Sequence, residues 1–413
     1  MPNIQIKKEL IEKYFKRVNH LVIETSEICN LSCLYCGQGK NYVKTDSHKK
    51  KKHMDWHTVK PLLDYYISLW HSGTIGLKRF FMLSFYGGEP LLNFELIDNV
   101  HQYIERNKPA DFLVYYSITT NGMLLDRYIE YFVHHNYTIA VSLDGDKISN
   151  SFRVDKSGTE SFDTLYHILI NIKERYPDFF DRKVSFQSVL NSRSNLIDVY
   201  AFFKEMFNKE PLLLEMSKSR LSLKSDIYAM YRGIDEDLEI SWKTRKEECV
   251  KFSLKNLDTS YLDFYIKTYT PHFILRYPDF FQEFDNVTIK LPTATCLPFS
   301  DRVFLTVGGL ILPCEKVGCV SPLGYVINGE IDIDFQKIVD FYNEIFNKYQ
   351  KLCETCIRTM SCTNCFYDIN YLAKKNICPD YVPNSQKDKY IQRALEILRR
   401  TPEIFKKIIN SID

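Results

Sequence analysis

Leu21-Val22-Ile23-Glu24-Thr25-Ser26-Glu27-Ile28-Cys29-Asn30-Leu31-Ser32-Cys33-Leu34-Tyr35-Cys36-Gly37 is the stretch on which the reading of the fold turns. Residues 21–25 form a short apolar run that reads as a strand, and a cysteine loop follows it directly. The spacing is C-x3-C-x2-C, and the next cysteine, Cys249, lies more than two hundred residues further on. Thiolates select iron–sulfur clusters or zinc, and a closed site takes four ligands. Three ligands on one tight loop leave a metal corner open. A closed site would imply structure; an open one implies chemistry. No histidine falls inside the loop to complete a zinc site.

Outward from that loop, residues 21–215 alternate strand-like and helix-like segments. Strands are expected at 21–25, 80–85, 113–118, 138–143, 183–189 and 211–214. Helices are expected at 56–72, 94–107, 126–135, 162–176 and 195–208. Asp55 is the expected cap of the first of these helices and Gly73 its stop, while Pro61 argues for a later start. Strands alternating with helices imply parallel βαβ units, either an open sheet or a barrel-like arc, with ligands gathered at the C-terminal strand ends. Those ends carry the unusual residues: the cysteine loop, Gly87-Gly88-Glu89-Pro90, Thr119-Thr120-Asn121-Gly122, Ser142-Leu143-Asp144-Gly145 and Gln187-Ser188-Val189. Residues 216–290 lose this rhythm and read as a mainly helical insertion. Beyond them a hairpin over 303–313 is expected to turn at Gly308-Gly309, with helices at 335–352 and 386–400.

The chain has 413 residues, 45% of them apolar, which is enough for two or three domains and a large core. A net charge of +2 argues against a dedicated nucleic-acid binder. The basic run His48-Lys49-Lys50-Lys51-Lys52-His53 reads as a solvated loop, with a contact for an acidic peptide or a phosphate as the alternative. No apolar stretch is long enough to span a membrane, and residues 1–8 contain no signal-like region, so a cytoplasmic location is expected. In a reducing compartment twelve cysteines point to metal ligation rather than disulfides.

A second cysteine group lies in the tail: Cys296, Cys314 and Cys319, then Cys353-x2-Cys356-x5-Cys362-x2-Cys365, then Cys378. Cys-x2-Cys pairs make zinc knuckles as readily as cluster sites, so spacing alone leaves both open. In the Gly87–Pro90 segment, glycines permit close backbone approach to a ligand, and Glu89 can accept hydrogen bonds from an ammonium group. Cys249 stands alone and reads as a buried free thiol.

Taken together, these motifs resemble the radical S-adenosylmethionine (SAM) enzymes. The cysteine loop after the first strand and Gly87-Gly88-Glu89-Pro90 about fifty residues later carry the resemblance over residues 20–215. It implies a partial (β/α)6 TIM-like barrel and a [4Fe–4S] cluster on Cys29, Cys33 and Cys36. The free iron of that cluster would be chelated by SAM, whose cleavage gives a 5′-deoxyadenosyl radical. It also implies that Tyr35 lies beside the adenine, and that Thr119, Thr120, Asn121, Ser142 and Asp144 line the methionine and ribose. Arg153 would reach the SAM carboxylate, and Gln187 and Val189 would complete the cofactor site. The tail resembles a SPASM domain, a small cysteine-rich α+β unit with two auxiliary [4Fe–4S] clusters. That resemblance implies Cys296, Cys314 and Cys365 on one cluster, with Cys319 as fourth ligand or an open site. Cys353, Cys356, Cys362 and Cys378 would hold the other. The chain departs from the pattern in two places. Gly37 follows Cys36 where many relatives have Tyr or Phe, and two residues rather than three precede Cys365.

The resulting division is an N-terminal segment (1–20), a radical SAM barrel (21–215), a helical insertion or bridge (216–290), a SPASM domain (291–385) and a C-terminal helix (386–413). The function implied is oxidative maturation of a ribosomally made precursor peptide by crosslink or thioether formation. Its partners would be the precursor with its leader, a separate leader-binding protein, and flavodoxin or ferredoxin as electron donor. No nucleic acid or membrane partner is expected. The alternatives are an anaerobic sulfatase-maturing enzyme that makes formylglycine, and a non-catalytic cluster- or zinc-bearing peptide scaffold.

Overall fold

The computed structural model describes residues 6–37, 53–73, 80–216, 229–233, 295–317, 321–356 and 381–386, together with scattered positions between 237 and 248 and between 362 and 378. Cys249, Cys319, His48 to Lys52, and nearly all of the expected insertion and C-terminal helix lie outside the described residues. The chain divides into two compact units, residues 9–237 with 298–335, and residues 1–8 with 238–297 and 336–413.

The larger unit is built on a ten-stranded sheet. Its strands are β1 (His20–Ser26), β2 (Phe80–Gly87), β3 (Leu113–Thr120), β4 (Thr138–Ser142), β5 (Val184–Leu190), β6 (Leu212–Glu215), β7 (Val303–Leu305), β8 (Leu310–Leu312), β9 (Gly324–Ile327) and β10 (Glu330–Asp332). The order is β10-β9-β8-β7-β1-β2-β3-β4-β5-β6. Strands β1 to β6 are all parallel and stand in chain order. Right-handed crossovers that never reverse direction put every connecting helix on the same face, which is the arc of a partial barrel and not a doubly wound sheet.

The helices are α1 (Lys8–Arg17), α2 (Trp56–Ser72), α3 (Phe94–Asn107), α4 (Leu125–His134), α5 (Phe162–Arg175), α6 (Pro177–Lys183), α7 (Leu196–Phe207) and α8 (Phe335–Glu354). Alternate residues of each strand face this layer. Phe81 meets Tyr66 and Trp70 at 5.1 Å, and Phe186 meets Phe203 and Phe207 at 4.9 and 4.8 Å. Asp55 caps α2 through the Thr58 N–H, and Gly73 ends the helix in the left-handed conformation. Pro61 does not delay its start, because the one bond it forfeits would go to the carbonyl of exposed His57, which water can serve.

Several elements differ from expectation. α1 and α6 are present where no helix is expected. The hairpin β7–β8 belongs to the barrel sheet, since β7 pairs in parallel with β1, Val22 opposite Phe304. A second hairpin, β9–β10, turns at Asn328 and Gly329, both at positive φ as a tight primed turn requires.

In the smaller unit α8 buries Ile338, Val339, Tyr342, Ile345, Phe346 and Tyr349, a helical stripe. Tyr342 lies 5.0 Å from Phe366, whose N–H donates to Thr295 Oγ1 at 2.8 Å. Ile6 exchanges two hydrogen bonds with Asn343. Among the described residues no helix is long and apolar enough to cross a membrane.

Candidate active site

The cysteine loop leaves the C-terminal end of β1 and is clamped on two sides. On one side Gly88 N–H donates to Ser26 O at 2.7 Å and Glu89 N–H to Ile28 O at 2.8 Å. On the other, Ser32 and Leu34 donate to the carbonyls of Val154 and Phe152 at 2.7 and 2.9 Å. The paired glycines serve this clamp. A Cβ at Gly87 would stand 2.3 Å from Ser26 O, and one at Gly88 would stand 2.4 Å from Ile28 O. In this structure the close approach that Gly87 and Gly88 permit is that of the cysteine-loop backbone.

Glu89 is fully buried and caps the 3-10 turn Pro90–Asn93. Its Oε1 accepts from Leu91 N–H at 3.1 Å and from Thr120 Oγ1 at 2.7 Å, and its Oε2 from Asn121 N–H at 2.8 Å. Burial pushes its carboxyl up to about 7, and the three donors oppose that rise. Glu89 therefore ties the end of β2 to the end of β3. Pro90 sits buried beneath it, and its carbonyl accepts from Thr25 Oγ1 at 3.2 Å.

Asn121 turns its side chain to the cysteine loop. Its Nδ2 donates to Cys29 Sγ at 3.4 Å and to Asn30 Oδ1 at 2.7 Å, while its Oδ1 accepts from Met123 N–H at 3.0 Å. Leu31 N–H also donates to Cys29 Sγ, at 3.4 Å.

A second network joins β4 and β5 to the loop. Buried Asp144 takes Arg153 Nη2 at 2.9 Å and Val189 N–H at 3.0 Å on Oδ1, and the Tyr35 hydroxyl on Oδ2. Asn150 Oδ1 accepts from the Asp144 N–H, and Ser188 Oγ donates to the Asp144 carbonyl. Tyr35 packs in a cluster with Phe152 and Met216, with the Arg153 guanidinium 5.5 Å from its ring. Its hydroxyl bond to Asp144 and its contact with Arg153 hold both in place. Val189 acts through its backbone N–H. Gln187 lies on β5 beside Ser142, and Thr119 and Ser142 face the half-buried side of the sheet.

The three loop thiols lie within electrostatic reach of one another. Burial pushes the Cys33 thiol up to about 12, opposed by the Arg153 charge, and raises Cys29 as well. Buried thiols of this kind lose their protons when a metal supplies the compensating charge. Among the described residues no three His, Cys, Asp or Glu side chains converge as a single ion needs. Three coupled thiols on one loop have the soft donor set that iron–sulfur clusters take. Arg153 adds a donor suited to an anion, since its Nε is buried and has no hydrogen-bond partner among the described residues.

The inward face of the sheet supplies residues that sequence reasoning missed. His20 Nε2 meets Ser84 Oγ at 2.7 Å, which meets Ser117 Oγ at 2.6 Å. Burial, then the Arg302 charge, lowers His20 to about 4 and keeps it neutral. The available signal was hydroxyls at alternate positions of two expected strands.

In the tail, Cys296 and Cys365 both lie within electrostatic reach of Tyr342, and Cys353 and Cys378 within reach of Tyr349. Asn364 Nδ2 donates to Cys378 Sγ at 3.8 Å. Cys356 closes a turn onto the Cys353 carbonyl, and Cys362 is half-buried. Cys314 follows β8 in the larger unit, near Arg302.

Residues 23–190 match the Radical SAM superfamily. They form a radical SAM domain. Three relatives match this chain over part of their length. An uncharacterized protein of Methanocaldococcus jannaschii is 33% identical over 150 residues, 36% of this chain and 46% of that one. The radical SAM cyclopropyl synthase TigE of Paramaledivibacter caminithermalis is 26% identical over 180 residues, 43% and 36% of the two chains. A cysteine-type anaerobic sulfatase-maturating enzyme of Clostridium novyi is 26% identical over 206 residues, 46% and 49%. The chain thus spans less than half the length of each of these curated relatives. Among solved structures, native anSMEcpe with bound AdoMet and Cp18Cys peptide superposes with a TM-score of 0.59 at 18% identity, over 95% of this chain and 99% of that one. The likeness of fold thus reaches beyond residues 23–190.

Proposed function

We propose that this chain is a radical SAM maturase with a SPASM-type tail that oxidatively modifies a ribosomally made precursor peptide, forming a crosslink or thioether. The observation that carries the reading is the clamped loop of three coupled thiols beside an orphaned, buried arginine nitrogen. Cys29, Cys33 and Cys36 would hold the [4Fe–4S] cluster, and Arg153 Nε would take the carboxylate of SAM. When bound, cluster and SAM supply a radical that abstracts hydrogen. The protein's own residues fix its surroundings: Glu89 and Asn121 hold the loop, Asp144 and Tyr35 hold Arg153, and burial excludes water.

The substrate's place is the inward face of β2 to β5, where Ser84, Ser117, Thr119, Ala140, Ser142 and Gln187 are small or polar and reached by solvent. Barrel interiors are ordinarily filled by bulky branched residues, so this lining leaves room for a guest. A peptide guest is supported by TigE among the relatives and by the peptide held in anSMEcpe.

The grouping of Cys296 with Cys365, and of Cys353 with Cys378, supports two auxiliary clusters. Cys314 and Cys319 would complete the first; Cys356 and Cys362 would complete the second. A flavodoxin or ferredoxin would supply the electron, and a separate protein or the 216–290 segment would bind the leader. Anaerobic reconstitution should give about twelve iron per chain, and a precursor encoded beside the gene should raise SAM cleavage and change mass. Zinc in place of iron, or an unmodified peptide, sinks the reading.

A second reading is favoured by the sulfatase-maturating relative, namely oxidation of a Cys or Ser in a sulfatase to formylglycine. A sulfatase peptide and the mass loss on conversion separate the two.

A further inference from the structure

We infer that Asn121 is a positioning residue for the cysteine loop, its side-chain amide donating to the Cys29 sulfur and so raising the reduction potential of a cluster held there. The inference rests on the reading above and deepens it.

The direction of the Asn121 amide is fixed by its other bonds. Its Oδ1 accepts the Met123 N–H at 3.0 Å, so the NH2 end must face the loop. Its two hydrogens then go to Asn30 Oδ1 and Cys29 Sγ. The backbone is pinned as firmly, because Asn121 N–H is bound to Glu89, which is itself bound by Thr120 and Leu91. Asn121 itself is 8% exposed and Cys29 is half-buried, so the donor side of the bond is shielded from water.

The three thiols are therefore unequal. Cys29 receives two N–H donors, from Leu31 and Asn121. Cys33 has the Arg153 charge nearby. Hydrogen bonds to a ligating sulfur draw electron density from it and favour the reduced, more negative cluster. A radical source must be reduced before it acts, so a donor fixed on Cys29 favours the step on which turnover depends.

The test uses the full-length protein, reconstituted anaerobically with iron and sulfide. Its redox titration is followed through the paramagnetic signal that shifts when SAM is added. Asn121→Ala is expected to move the midpoint to a more negative potential with iron content retained, and Asn121→Asp, which replaces the donor by an acceptor of the same shape, to move it further. An unchanged midpoint in both variants overturns the inference. If the wild type binds no cluster, the functional reading fails instead. Should a variant fail to assemble its cluster, iodoacetamide labelling of the metal-free full chain, mapped by mass spectrometry, decides the matter. Cys29 is then alkylated about fivefold more slowly relative to Cys36 in Asn121→Ala, the factor one hydrogen bond carries. Equal ratios in wild type and variant overturn it.

Discussion

On either side of β1 the inward face of the one sheet has opposite characters. Toward β7 and β8 it is filled, with Val22, Phe304, Leu310 and Leu312 buried together and Tyr86 and Tyr325 packed against them. Toward β2 to β5 it is lined by Ser84, Ser117, Thr119, Ala140 and Ser142, all half-buried. The helix-facing side is mostly apolar along all these strands, with Thr25, Thr120 and Ser188 the buried polar exceptions near the strand ends, so the difference does not come from strand propensity. It comes from what each half must do. The filled half packs the hairpin side chains against Val22, and the lined half bears the place proposed for the substrate.

The largest effect is expected from filling the open half. Ser117→Phe places a ring among the hydroxyls, and peptide modification should fall about hundredfold, the scale of a misplaced substrate. Iron content and substrate-free SAM cleavage should stay at wild-type levels. A variant that still modifies peptide normally breaks the comparison. Emptying the filled half is expected to act on stability instead. Phe304→Ala should cost about 3–5 kcal/mol in urea unfolding of the chain, the scale for a buried aromatic.

Between those halves and the loop, Glu89 gives a pH signature. Its folded carboxyl stands near 7 against 4.5 unperturbed, so the folded state holds a proton that the unfolded state has lost. Its contribution is complete below pH 4.5 and is lost as pH rises through 7, about 3 kcal/mol in all. Glu89→Gln should flatten that fall in the metal-free chain, as urea melts at pH 5 and pH 7.5 will show. A smaller cost, about 1–3 kcal/mol, is expected for Gly88→Ala, whose Cβ must push Ile28 O aside. Iron content should drop with it, since the loop moves.

Local chemistry made much of this legible. The Asp55 cap, the Gly73 stop and the alternation of strands with helices each follow from a few adjacent residues. The three thiols are brought together as their spacing demands. Long-range pairing was not legible: nothing in 303–305 announces that it will pair with β1. Nor could the sequence tell that Gly87 and Gly88 make room for Ser26 and Ile28, or that Tyr35 and Arg153 share Asp144. The Asn328-Gly329 turn is legible in its own dipeptide, which suits the positive φ of a tight hairpin.

The most direct test of the account is the metal held by the opening loop. Wild type and a Cys29→Ala, Cys33→Ala, Cys36→Ala variant should be reconstituted anaerobically and compared for iron, sulfide and the paramagnetic signal on adding SAM. The account predicts that the variant loses about four iron per chain and the whole SAM-induced shift of the signal. Equal iron in both proteins, or a wild type whose signal ignores SAM, would contradict it.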